Sequence, residues 1–167
     1  MDKNAILVLG AFVFIVLFPI IFRRHFQEDK RVLKSIYRRE FISYQDFEKG
    51  WIITRPGKKV DGYKYRDTSG CYVILIFKKP VRNKNYKHYE NVYVGQSINI
   101  CKRVHNHFRG RGNGDVYFDI KSGKSVYVQL IPCAREKLND QEKKLIKAFQ
   151  ATQSYNKTSG GSRQILN

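Results

Sequence analysis

An unbroken run of 18 apolar residues, Ala5 to Phe22 with Gly10 and Pro19 inside it, constrains this chain more than any other feature. Coiled as a helix, such a run rises about 27 Å and with its flanks approaches the roughly 30 Å hydrocarbon core of a bilayer. A cleaved signal peptide is the first rival, since it needs a positive n-region, about 7 to 15 apolar residues and a small-residue cleavage site. Here Asp2 cancels Lys3, the run is longer, and Phe18 to Arg24 offers no such site. A buried soluble helix is the second rival, but one with no polar face fits an extreme terminus poorly. A single transmembrane anchor over residues 1–25 is therefore expected. Lys3 stands alone ahead of the run, whereas Arg23, Arg24, Lys30 and Arg31 follow it. The positive-inside rule then puts the N-terminus outside and the rest of the chain in the cytoplasm.

The remainder has enough apolar residues for one packed domain. In 167 residues the hydrophobic share is 42% and the aromatic share 14%, which excludes global disorder. The net charge of +18 excludes an ordinary acidic or neutral metabolic enzyme and predicts a polyanionic partner. Cys71, Cys101 and Cys133 are odd in number and lack any CxxC pairing, which argues against a disulfide framework or a structural zinc site. Residues 26–68 read as a basic connector and an extended collar. Phe26, Leu33, Ile36, Tyr37 and Phe41 approximate a helical stripe, ringed by Lys30, Arg31, Lys34, Arg38 and Arg39. Such a segment either lies on anionic lipid or is a solvated helix with no specific role. Turn signals at Arg55-Pro56-Gly57 and Asp61-Gly62 follow.

The chemistry is concentrated after Ser69. Gly70 to Phe77 is a strand-like run of β-branched and aromatic residues, and Asn91 to Gly95 is a second strand ending in glycine. Ser97 is placed to cap a helix through Phe108, on which Ile100, Val104 and Phe108 face the core while Arg103 and His107 share an adjoining edge. Gly110 to Gly114 reads as a flexible loop, Ser125 to Pro132 as a third strand, and Asn139 or Asp140 as the cap of a helix to about Ala151. On that last helix Glu142 falls among Leu138, Leu145 and Ile146, so a carboxylate points to the core side. Two readings stay open: a capping-box glutamate bonded back to Asn139, or a charge compensated by a metal ion or a cation. Likewise, Tyr72 and Tyr93 taken alone are packing residues of strands, and Arg103 and His107 would merely steer phosphate.

Together, however, Gly70-Cys71-Tyr72, Tyr93-Val94-Gly95, Arg103, His107, Glu142 and Asn156 have the order and grouping of the GIY-YIG nucleases, a family the chain closely resembles over about residues 69 to 162. It departs in reading Gly-Cys-Tyr where the family has Gly-Ile-Tyr, and in a long interval between Tyr72 and Tyr93 that carries Lys78, Lys79, Arg82, Lys84 and Lys87. The resemblance implies an α+β domain over residues 69–163 with a three-stranded antiparallel sheet flanked by helices, following the anchor and connector. It implies hydrolysis of DNA phosphodiester bonds with one divalent ion, Mg²⁺ or Mn²⁺, held by Glu142. Tyr72 or Tyr93 would help activate water, Arg103 would stabilise the transition state, and His107 would shuttle a proton or bind phosphate. Asn156 would bind phosphate or anchor the C-terminal segment.

The residue inventory agrees with a one-metal site. From Gly70 to Asn167 there are 18 basic residues against six acidic ones, too few carboxylates for a two-metal cluster. Lys84, Lys87, Lys102, Arg109 and Arg111 are expected to add sequence-independent DNA affinity. The sequence thus reads as a membrane-tethered endonuclease. The rival class is a membrane-anchored nucleic-acid-binding scaffold on a nuclease fold that no longer cuts, and a third reading is an exported nuclease toxin that loses its apolar segment.

Overall fold

The computed structural model describes residues 26–50 and 68–160. The apolar run, the turn-rich stretch of the collar and the last seven residues lie outside that range. Among the described residues no helix is long and apolar enough to cross a membrane.

Helix α1, described over residues 26–37, is followed by β1 (Ile42–Ser43), α2 (Tyr44–Gly50), β2 (Gly70–Phe77) and β3 (Asn91–Ser97). Helices α3 (Ile100–Phe108) and α4 (Gly114–Lys121), strand β4 (Ser125–Pro132) and helix α5 (Leu138–Ala148) complete the order, with short 3₁₀ turns on either side of α5. The sheet is antiparallel with spatial order β1-β4-β2-β3. It therefore has four strands rather than three. The extra one, β1, pairs Ile42 with Val128 and Ser43 with Tyr127, and two residues are too few to show an alternating pattern.

Strand β2 is buried along its whole length, which explains its unbroken apolar sequence. Helices cover both faces, so neither set of alternating side chains meets water. Cys71, Val73, Leu75 and Phe77 face one half-core with α1 and α5, whereas Tyr72, Ile74 and Ile76 face the other with α2 and α3. Cys71 is fully buried, as its place in the motif requires, and its thiol donates to the carbonyl of Leu138 at 3.6 Å. All three cysteines are free thiols.

The segment read as a connector takes part in this core. Ile36 and Phe41 are buried under the sheet, Tyr37 meets Phe149 edge-on at 5.9 Å, and Phe41 stacks on Tyr86 at 4.6 Å. On the opposite face Phe47 of α2 is fully buried and packs edge-on against Phe108 at 5.5 Å. Ser43 starts α2 by accepting the Asp46 amide hydrogen at 3.1 Å while its hydroxyl donates back to the Asp46 carboxylate at 2.6 Å.

Three helix starts differ from expectation. Asn99, not Ser97, holds the N-cap position of α3, and the Ser97 hydroxyl oxygen accepts the Asn99 amide hydrogen in a turn just before it. Helix α4 follows the Gly110 to Gly114 loop, over residues to which no element was assigned, and starts where the Asn113 side chain accepts the Val116 amide hydrogen at 3.1 Å. Helix α5 grows out of the turn Arg135–Lys137, so Lys137 takes the N-cap position and Asn139 lies inside the helix. The capping box that would have explained Glu142 is thus excluded.

Candidate active site

Pairing of β2 with β3 sets Tyr72 opposite Gly95 and Ile74 opposite Tyr93. Side chains two apart share a sheet face, so both tyrosines project to the side covered by α3. Gly95 is required by this packing: a Cβ there would lie 2.3 Å from the Tyr72 hydroxyl oxygen. From α3, His107 closes a cluster of three rings, its centroid 5.5 Å from Tyr72 and 4.9 Å from Tyr93.

The hydrogen bonds of His107 fix its tautomer. Its Nδ1 accepts the backbone N–H of Asn113 at 2.6 Å, so that nitrogen carries no proton. The neutral ring then keeps its proton on Nε2 and donates it to the Tyr72 hydroxyl oxygen at 2.8 Å. Tyr72 is an acceptor towards His107, and its own proton remains for another partner. Gly112 permits the arrangement, since a Cβ there would lie 2.4 Å from Nδ1. Burial pushes the Tyr72 pKa well above the ordinary tyrosine value, and neighbouring Tyr93 adds to the rise. The neighbouring guanidinium of Arg103 pulls it the other way.

Glu142 faces this group from α5. Its Oε2 accepts from the Gln96 side-chain amide at 2.9 Å, and the same amide donates to Asn139 at 2.7 Å. The α5 helix is thereby tied to the residue that follows Gly95. Asn156 fastens the chain beyond α5 to the free edge of β3. Its carboxamide oxygen accepts the Val94 N–H at 2.8 Å and its amide donates to the Val94 carbonyl at 2.7 Å, as another strand would. Of the two roles expected for Asn156, the structure thus shows the anchor.

Tyr72, Tyr93, Arg103, Glu142 and Asn156 line one cleft of about 390 Å³, the lower part of the size range of small-ligand sites. His107 is wholly buried behind Tyr72. The residues expected to add sequence-independent DNA affinity do not line this cleft. Lys84, Lys87 and Lys102 are exposed elsewhere, and Arg109 forms an ion pair with Glu48 at 2.9 Å. Arg111 and Arg109 line a separate groove. Five polar cleft residues were not singled out from the sequence: Gln96, Asn113, Tyr155, Lys157 and Thr158. Asn113 was legible in principle, standing three residues before Val116 as an N-cap does.

Among the described residues no group of three or more His, Cys, Asp or Glu could hold a metal ion. A hard cation would rest on the Glu142 carboxylate, with water and substrate oxygens completing its shell, and the donor chemistry suits Mg²⁺. The cleft therefore pairs one acidic oxygen donor with a cationic guanidinium across two tyrosine hydroxyls.

Comparison with known families is decisive at this point. The GIY-YIG catalytic domain matches residues 69–156, just over half of the chain. The chain belongs to the GIY-YIG family. Neither a curated protein nor a solved structure matches it. A GIY-YIG domain is a nuclease domain, which implies an endonuclease, a phosphodiester hydrolase with DNA as its substrate. In this GIY-YIG chain the matched part begins after α2, so α1, β1 and α2 are additions to the family domain that share its core.

Proposed function

We propose that the protein is a membrane-tethered endonuclease that cuts DNA with the help of one divalent cation bound at Glu142. The observation that carries this reading is the convergence of Tyr72, Tyr93, Arg103 and Glu142 on one cleft, with His107 fixed behind. A scissile phosphate seated between Glu142 and Arg103 has its charge met on both sides. The cation supplies Lewis-acid polarisation of phosphate and water oxygens.

Tyr72 takes the proton of the attacking water, after releasing its own hydroxyl proton to solvent in the cleft. In the free site it is neutral, because burial opposes its ionisation. Its hydroxyl already accepts from His107 and sits against Arg103, so two donors stand ready to stabilise a tyrosinate. As the water attacks phosphorus and the sugar oxygen departs, Arg103 faces the growing negative charge. The fixed tautomer gives His107 one task, to hold and polarise Tyr72 rather than take its proton. The tether is supported by the apolar run and by the described part of α1, which follows that run in sequence and is packed into the domain.

The test is Glu142→Gln. Since the N-cap position of α5 belongs to Lys137, the amide keeps the size of the side chain and its oxygen still accepts from Gln96, which leaves the fold intact. Calorimetric titration with Mg²⁺ should show binding lost, and plasmid cleavage should fall by orders of magnitude while DNA binding persists. Wild-type cleavage by this variant would remove Glu142 from the mechanism.

A further inference from the structure

A second groove, of about 590 Å³, shares the α3–α4 loop with the cleft: Gly112 and Asn113 line the cleft, whereas Arg109 and Arg111 line the groove. Its other walls include Tyr44 of α2, Tyr117 and Lys121 of α4. The chemistry is aromatic and cationic. Glu48 bonds His105 and Arg109 at 2.8 and 2.9 Å. No carboxylate among the described residues pairs with Arg111 or Lys121, and Lys121 lies 6.0 Å above the Tyr117 ring. Tyr117 is held in place by Gly110, whose φ of +78° brings the backbone close enough that a Cβ would lie 3.2 Å from the ring.

Rings that offer a face together with cations that offer no carboxylate are suited to a nucleic-acid strand with unstacked bases. In a duplex the base faces are already occupied by their neighbours. We propose that this groove holds an unpaired stretch of the DNA strand leaving the cleft, with Tyr117 stacking on a base and Arg111 and Lys121 meeting phosphates. The assignment rests on the nuclease reading for its substrate, and it adds that the preferred substrate carries a single-stranded arm.

The test measures affinity rather than cutting. Full-length protein in detergent micelles, with divalent ions chelated, is titrated by fluorescence anisotropy with a blunt duplex and with the same duplex bearing an unpaired arm of about ten nucleotides. The armed duplex should bind about tenfold more tightly, a preference that Tyr117→Phe keeps and Tyr117→Ala abolishes. An arm of abasic nucleotides should lose most of the preference. Lys121→Ala should lower the salt slope for the armed duplex by about 0.7. Equal affinity for both duplexes, or an undiminished preference in Tyr117→Ala, overturns the proposal. So does displacement of the arm by polyglutamate as readily as by oligothymidine, which would assign the groove to acidic protein. A protein that shows the preference yet cuts nothing would refute the nuclease reading while leaving the groove's occupant established.

Discussion

At the scale of single residues, the site is an arrangement of donors around one hydroxyl. Tyr72 was legible only through its motif, whose second glycine, Gly95, leaves room for the ring. The partners that make it useful were not legible. The Asn113 amide that sets the His107 tautomer belongs to the backbone, and any residue but proline supplies one. Gln96 was missed for a related reason: its link to Glu142 spans 46 residues and leaves no periodic trace. Its effect can nevertheless be measured. A carboxylate held by a neutral donor keeps its charge and its orientation, and removing such a support from a metal ligand typically weakens binding by about 10- to 100-fold. Gln96→Ala should therefore raise the Mg²⁺ dissociation constant by that factor in a calorimetric titration, with the melting temperature little changed. Unaltered metal affinity would mean that Gln96 serves only to join β3 to α5.

At the scale of elements, strand β4 and the apolar face of α3 were legible because their repeats are long enough to count. Strand β1 and helices α2 and α4 were not, having two, seven and eight residues. Helix α1 was recognised as a basic amphipathic stretch, but it was read as lying on anionic lipid or as a solvated connector, and neither reading placed its stripe in the core. The structure shows it facing protein, which separates two truncations that the sequence alone treats alike. Removing residues 1–24 takes away the apolar run and leaves α1 in place. Removing residues 1–41 also strips Ile36 and Phe41 from the half-core beneath α5. Burial of two such side chains is worth about 3 to 6 kcal/mol, a large part of the stability of a small domain. The shorter truncation should unfold cooperatively on heating, at a temperature well above that of the longer one, which should expose apolar surface to a hydrophobic dye. Equal melting temperatures would show that α1 contributes nothing to the domain.

At the scale of the whole molecule, the same feature that builds the site also limits the range of pH in which the fold survives. Eleven tyrosines are spread through the chain, and several have their hydroxyls buried in or between the two half-cores. Burial raises the pKa of Tyr37, Tyr72, Tyr86, Tyr89 and Tyr155 above the ordinary value of 10.0, and for Tyr155 the Asp119 carboxylate that its hydroxyl bonds adds to the rise. Below pH 10 these groups are protonated in both folded and unfolded chains and favour neither. Above it the unfolded chain releases protons that the folded one retains, so stability falls as pH rises, by up to about 1.4 kcal/mol per pH unit for each group. Lys124, whose pKa is raised chiefly by its bond to Asp119, acts in the same direction, because its charged form is the one the fold favours. The melting temperature should therefore hold steady from neutrality to about pH 9.5 and then drop steeply, with tyrosine ionisation and loss of structure occurring together. Tyr72→Phe removes one of these protons without changing the packing of the ring, and should flatten the alkaline limb accordingly. If the tyrosines ionise near pH 10 while the chain stays folded, their hydroxyls are in contact with water, and the burial that keeps Tyr72 neutral in the free site is not what sets its chemistry.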